Sequence, residues 1–473
     1  MIQSNSIKKN TYYISIGQFI QMALSFALVP IAARWLGGEG FGIYSLGMVI
    51  MYFAFLLNDW GINTFITKEI SRKKSVANRY FINALWLKLS LVIVVIIFLF
   101  GLLQLIDVSK EAKITIFLLG TFGILRSIGQ ISFSIFRAFE KMQFEMIIVI
   151  LEKLIITCAG IFVLFRGLGL ISFGSVFVIS ALISLIVGFV LVRKKFIEFN
   201  YTIDSKLMKF LLLNSYHFGL SMFLINIYDK IDTVMLSFLK TMEAVGWYTA
   251  AYKLLSLTTI IPTVLVTAIF PKLSKAILNK EDNIVDDLFT KSFKFIFFLA
   301  LPLITIGSLT ADKIITFIYG SQYSNSIVVF QVLSWAVGLI FLNILLGTLF
   351  RASDHQKKLV AMQGIGVLIN ISLNMVLIPK FSYLGAAIAT VVTEAVLFTT
   401  YLRFITNKVC KLQSKRFIMQ GLGATSLMVL VLLNFDHINL FFIIPLSGLT
   451  YFGSLYVFKG YKINEVLPIK GSF

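Results

Sequence analysis

Runs of about twenty apolar residues alternate with short polar stretches along almost the whole chain. A run of that length, coiled as a helix, crosses the roughly 30 Å hydrocarbon core of a bilayer. Fourteen runs predict spanning helices at about 12–35, 41–60, 80–104, 114–136, 144–165, 170–192, 210–238, 244–270, 293–318, 326–350, 358–378, 382–402, 417–434 and 438–458. The first is too long for a signal-peptide core of about 7–15 residues, contains Pro30, and lacks an Ala-x-Ala site at its end. Polar stretches on one side rarely exceed about ten residues and those on the other reach about 22, by the same segmentation. No extramembrane catalytic domain fits such loops. The pattern therefore points to a carrier acting within the membrane, not to an enzyme.

Charge orients the chain. Of the 42 Lys and Arg residues, 30 fall in loops and tails on the side of both termini and 7 on the other side; the remaining 5 lie inside spans. The excess of Lys and Arg in cytoplasmic loops places both termini in the cytoplasm and requires an even number of spans. It also accounts for the net charge of +20 without a basic nucleic-acid-binding domain. The hydrophobic share of 58% and the mean hydropathy of +0.91 agree with a polytopic membrane protein. Cys158 and Cys410 are far apart, and His217, His355 and His437 form no cluster, so no metal site or cofactor is expected.

An internal duplication is legible. A shift of 204 lays Asn10, Tyr12, Glu39, Gly42 and Tyr44 on Asn214, Tyr216, Glu243, Gly246 and Tyr248. A shift of 214 lays Phe136-Arg137-Ala138 on Phe350-Arg351-Ala352. The expected fold is an all-α integral membrane protein of about fourteen transmembrane helices. Two six-helix bundles, residues 1–200 and 201–404, are related by a pseudo-two-fold axis along the membrane normal, and residues 405–473 add two C-terminal helices and a cytoplasmic tail. Parallel repeats of this kind place a substrate site near the midplane between the bundles. Pro30, Pro262 and Pro302 interrupt helical hydrogen bonding and predict bends or static kinks.

Charges inside spans are costly unless paired or facing water. Lys88, Arg126, Lys153, Lys230 and Lys253, together with Arg34 in the first outer loop, are the candidate cavity cations. Asp59, Asp229, Asp232 and Glu394 are the candidate ion-coupling acids, and Glu152 is a further embedded acid. Asp229 and Asp232 stand three apart on one helix face. For several of these a structural role is equally open: Glu152 with Lys153 as an interhelix pair, Lys253 as the partner of Asp229 or Asp232, Glu394 in packing. Cations on both bundles suit an anionic headgroup, phosphate above all. A carboxylate that takes a proton or a sodium ion in one conformation and releases it in another could couple transport to a gradient.

Several segments resemble the Wzx-type polysaccharide flippases of the multidrug/oligosaccharidyl-lipid/polysaccharide superfamily. They are Ala33-Arg34-Trp35-Leu36-Gly37-Gly38-Glu39-Gly40-Phe41-Gly42-Ile43-Tyr44; Phe136-Arg137-Ala138-Phe139-Glu140-Lys141-Met142; Tyr228-Asp229-Lys230-Ile231-Asp232 with Val245-Gly246-Trp247-Tyr248-Thr249-Ala250-Ala251-Tyr252-Lys253; Tyr319-Gly320-Ser321-Gln322-Tyr323; and Leu377-Ile378-Pro379 with Leu384-Gly385-Ala386-Ala387-Ile388-Ala389-Thr390. They cover the first twelve spans in order. The family commonly has Arg at the positions of Lys230 and Lys253, so charge is kept there while the bidentate fork is lost. The resemblance implies a flippase that moves undecaprenyl-diphosphate-linked oligosaccharide to the outer leaflet for O-antigen or capsule assembly, by ion-coupled alternating access driven by a proton or sodium gradient. Membrane lipids and other polysaccharide assembly proteins are the implied partners. Two other classes stay open: a drug or metabolite antiporter of the same superfamily, and a membrane-embedded polysaccharide polymerase, which would ordinarily carry a sizeable outer loop.

Overall fold

The computed structural model describes residues 2–413, 416–435 and 437–460. The expected C-terminal tail beyond 460, with Lys462 and Lys470, and the loop residue Lys415 lie outside the described residues. Every described element is helical, and no strand occurs among the described residues. Hydrocarbon supplies no water to an unpaired N–H or C=O, and a helix satisfies these groups within its own segment.

Two compact units divide the chain at 246/247. The first contains α1 (Ile2–Asp59), α2 (Ile62–Arg72), α3 (Ala77–Leu105), α4 (Lys110–Ala138), α5 (Gln143–Phe165), α6 (Gly169–Lys195) and α7 (Ser205–Leu239). The chain continues through α8 (Met242–Thr258), α9 (Ile260–Leu278), α10 (Asp282–Leu309), α11 (Ala311–Tyr319), α12 (Asn325–Ala352), α13 (Gln356–Lys408), α14 (Arg416–Asn434) and α15 (Leu440–Val457). Eleven helical segments among the described residues are long and apolar enough to cross a membrane. Two of these, α1 and α13, each hold two of the predicted spans, and α7 occupies the seventh, so the fourteen-span reading is accommodated.

The two long helices must fold back. At 1.5 Å per residue, the 58 residues of α1 would extend about 87 Å if straight, nearly three bilayer cores. The chain reverses at Gly37 (φ 70°, ψ −179°), a backbone setting that a Cβ would strain. In α13 the same task falls to Ser382 (φ 51°, ψ −133°). Single residues thus replace the outer loops expected between these spans. The eighth span is broken as well: α8 ends at Thr258, and Pro262 sits in the first turn of α9, where its missing N–H costs little. The ninth begins at Asp282, earlier than expected, and its outer end forms the separate α11.

Within the first unit α4 is the central post, packed against α1 and α6, and it buries Ile116, Leu119, Phe122, Ile131, Ile135 and Phe136. In the second unit α12 holds the same place, between α10 and α13. The last two helices pack on α10, where Tyr451 Oη donates to the Phe298 carbonyl at 2.9 Å.

The duplication reaches atomic detail inside each unit. Both α4 and α12 end on the Phe-Arg-Ala triplet, after which Glu140 (φ 56°) and Asp354 (φ 57°) turn left-handed. Lys141 N donates to the Phe136 carbonyl, and His355 N to that of Phe350, each at 2.8 Å. That is one helix-closing turn used twice. Farther on, the amides of Phe196 and Ile197 both bond the Val192 carbonyl, and those of Val409 and Cys410 both bond that of Ile405. The following linker then returns to the third helix of its own repeat: Asp204 N bonds Asn83 Oδ1 at 2.7 Å on α3, and Gln413 N bonds Thr290 Oγ1 at 3.1 Å on α10.

Repeat-equivalent glycines meet inside the first unit. A Cβ on Gly42 would run into the Met242 carbonyl and stand 3.0 Å from the Gly246 amide; one on Gly246 would run into the Gly38 carbonyl. Only hydrogen at both Cα atoms lets the two backbones approach this closely.

Replacing Gly42 or Gly246 with Ala is expected to cost about 1–3 kcal/mol through overpacking, read as a lowered midpoint of thermal denaturation in detergent. Gly101→Ala, where no atom lies within 4 Å of the added carbon, should be neutral or stabilising. The thiol of Cys410, pushed up to about 12 by burial and by the nearby Asp286 carboxylate, should react with maleimide at pH 7.5 far more slowly than a free thiol. Rapid labelling there would contradict the buried setting.

Candidate functional site

The embedded charges separate into distinct settings. Lys88 on α3 is fully enclosed, and its ammonium donates to Asp59 Oδ1 at 2.7 Å, Asn63 Oδ1 at 3.1 Å, the Ser127 carbonyl at 2.7 Å and Ser127 Oγ at 3.1 Å. Asp59, at the end of α1, also accepts weakly from the Asn63 amide at 3.4 Å. An ammonium has three donors, so this one is saturated. Buried ion pairs of this kind hold only because every charge is matched, since removing one partner leaves an uncompensated charge. Lys88 and Asp59, separate candidates in the sequence, thus form a single pair that locks α1, α2, α3 and α4 together.

Arg126 is placed otherwise. It follows from α4 geometry that residues one apart point about 100° from each other, so Arg126 leaves the helix on a different side from Ser127. It enters a cleft between α4, α5 and α6 whose lining includes Gln130, Phe133, Ile148, Glu152 and Ser184. Its Nε stands 3.5 Å from Glu152 Oε1, with the guanidinium 5.9 Å from the Phe122 ring centre. A separation of 3.5 Å is an attraction of charges without a good hydrogen bond. Eleven residues farther along the same helix, Arg137 is a contrast: it grips Glu145 through Nε at 2.8 Å and Nη2 at 2.5 Å. Lys153 follows Glu152 on α5 and lies within electrostatic reach of both Arg126 and Glu152.

On α7, Asp229 is exposed, Lys230 half-buried and Asp232 buried. Arg34 is exposed on α1, three residues before the Gly37 reversal, and Lys253 is half-buried on α8. In the second unit Glu394 is buried on α13, where Asn343 Nδ2 donates to its Oε2 at 2.7 Å and to its carbonyl at 3.1 Å. Asn374 donates to Asn370 at 2.9 Å on the same long helix, and Tyr248 and Thr390 hydroxyls lie 3.4 Å apart. The structure therefore brings together Asp59 with Lys88, and Arg126 with Glu152, and leaves these two groups on different sides of α4.

Uncharged partners were not anticipated from the sequence. Asn63, Ser127, Ser184, Asn343, Asn370 and Asn374 are all buried. Asn370 and Asn374, four apart in an apolar run, share a helix face and carry a readable signal; a lone Ser or Asn within a span does not stand out, because its partner is on another helix.

Asp59→Ala is expected to destabilise the protein by about 3–5 kcal/mol by stranding Lys88. Asp59→Leu with Lys88→Met should recover most of that loss in thermal denaturation. A double variant as unstable as the single would mean that the pair is not the source of the cost.

Comparisons with known proteins agree with this architecture. A family model for MatE proteins matches residues 218–376. Over 85% of this chain and 97% of its own length, a protein of Escherichia coli (strain K12) named "Putative O-antigen transporter" is 24% identical. The capsular polysaccharide biosynthesis protein CapF of Staphylococcus aureus is 21% identical over 84% of this chain and 98% of its own. Among solved structures, the lipid II flippase MurJ in an inward closed conformation superposes with a TM-score of 0.68 at 17% identity, covering 94% of this chain and 97% of that one. An inward-facing MATE family multidrug resistance transporter does so with a TM-score of 0.65 at 16% identity, covering 84% and 98%. At such identities the structural likeness establishes the fold alone. The model described as "Polysaccharide biosynthesis protein" matches residues 7–277, more than half of the sequence, and the chain belongs to that family.

Proposed function

We propose that the protein is a flippase that moves undecaprenyl-diphosphate-linked oligosaccharide from the cytoplasmic to the outer leaflet for O-antigen or capsule assembly. A diphosphate with many hydroxyl groups pays a prohibitive desolvation cost in hydrocarbon. A carrier must offer it charge partners inside the membrane while the prenyl tail remains in lipid. The observation that carries this reading is a guanidinium, Arg126, held in a cleft among spanning helices by a loose 3.5 Å ion contact, in a chain that matches the polysaccharide biosynthesis family over residues 7–277.

Transport proceeds by alternating access coupled to a proton or sodium gradient, with Asp229, Asp232, Asp59 and Glu394 as the candidate coupling acids. Arg34, Lys230 and Lys253 are further candidate contacts for the headgroup, alongside Arg126 and Lys153, whereas Lys88, enclosed and spent on Asp59, Asn63 and Ser127, leaves that set. The protein sits in the bacterial inner membrane with both termini cytoplasmic. Its substrate and membrane lipids are the partners that the chemistry requires, and other polysaccharide assembly proteins act on either side of the step. It catalyses no covalent chemistry.

A second reading, a cation-coupled drug or metabolite antiporter, is favoured by the MatE match over 218–376. Vesicles reconstituted with the purified protein separate the two. The flippase reading expects a defined lipid-linked oligosaccharide to move between leaflets faster when a proton or sodium gradient is imposed, and a cationic dye to be left in place. Dye efflux without lipid movement would favour the antiporter.

In cells, Arg126→Ala and Lys230→Ala should each abolish surface polysaccharide while the protein still reaches the membrane. Normal polysaccharide in both variants would remove these residues from the site.

A further inference from the structure

Arg126 makes no hydrogen bond to any described residue, although a guanidinium carries five N–H donors. The Ser184 hydroxyl, 7% exposed on α6, lines the same cleft and has no hydrogen-bond partner. Gln130, one turn along α4 from Arg126, adds an amide to the lining. A guanidinium with unused donors and a buried hydroxyl without a partner, lining one cleft, call for an occupant rich in acceptors. The walls supply one charged acceptor, the Glu152 carboxylate, and at 3.5 Å it stands beyond the 2.7–2.9 Å of a formed charge-assisted bond. Arg137 and Glu145 on the same two helices close to a full bidentate fork, so nothing in the packing of α4 against α5 forbids such a grip.

We propose that this cleft is a binding site for a single phosphoryl group. Arg126 is its fork, Ser184 and Gln130 are its flanking donors, and Glu152 is a built-in competitor that the phosphoryl group displaces. Lys153, beside Glu152, keeps the cleft near neutrality when a singly charged phosphoryl group enters. Phe133, Ile148 and Leu185 add apolar walls, whose low polarity strengthens the charge contacts. The site lies entirely within the first unit. The phosphoryl group belongs either to the lipid-linked substrate or to a bilayer phospholipid, and only the choice of the former rests on the flippase reading.

The test is equilibrium binding of farnesyl diphosphate to the full-length protein in maltoside detergent, which brings no phosphate of its own. Farnesol is the uncharged control, and phosphatidylglycerol is the competitor. The proposal expects binding of farnesyl diphosphate and not of farnesol. Arg126→Ala should weaken it about 10–100-fold and Ser184→Ala about 3–10-fold, as for charged and neutral hydrogen bonds. Glu152→Gln should tighten it about 3–10-fold, because the competitor loses its charge. That gain is the reading a purely structural ion pair would not produce, and with Ser184→Ala it keeps the test decisive if Arg126→Ala fails to fold.

Weaker binding in Glu152→Gln, equal binding of farnesol, or wild-type affinity in Arg126→Ala and Ser184→Ala would each overturn the proposal. Full displacement by phosphatidylglycerol would support the anion site with a bilayer lipid as its occupant. No displacement would support it with the prenyl-linked substrate. Should vesicle transport fail while this binding pattern holds, the flippase reading falls and the cleft stands.

Discussion

A charge in hydrocarbon must be answered by another group within a few ångströms, and the first unit is organised around that requirement. The Lys88 ammonium, at 2.7 Å from Asp59 and surrounded by Asn63 and Ser127, ties four helices to one point. In water such a pair contributes little. In a site without water its geometry is strongly specified, because any rearrangement of α1 to α4 that separates the partners leaves a naked ion.

The same reasoning gives the Arg126 cleft its meaning. One helix, α4, carries three basic or base-binding positions with three outcomes: Ser127 closes the Lys88 cluster, Arg137 is locked to Glu145, and Arg126 is left with a loose contact and unspent donors. A structural ion pair converges on short, paired bonds, as Arg137 shows. A site that must release what it holds does not. The proximity of Lys153 and the unpaired Ser184 hydroxyl extends the pattern to α5 and α6.

Duplication supplies the scaffold. Each repeat closes its fourth helix with the same left-handed turn, at Glu140 and at Asp354, and each returns the linker after its sixth helix to its own third helix. Repetition at that level means that the chain solved the packing of a six-helix bundle once and used it twice. The divergence lies in what each repeat buries: an ion pair and a half-satisfied arginine in the first, amide and carboxyl groups at Asn343, Asn370 and Glu394 in the second.

Hydropathy and charge alone determined the class and the number of spans, because lipid imposes a length and a polarity on every segment independently of its neighbours. Residue patterns such as Phe136-Arg137-Ala138 carried the repeat for the same reason, since a helix end is a local structure. The pairing of charges was decided only in three dimensions. Asp59 and Lys88 are 29 positions apart, Arg126 and Glu152 are 26 apart, and no linear spacing distinguishes the saturated pair from the loose one. Whether a buried cation is spent or available depends on how many acceptors the surrounding helices bring to it, and that is a property of packing.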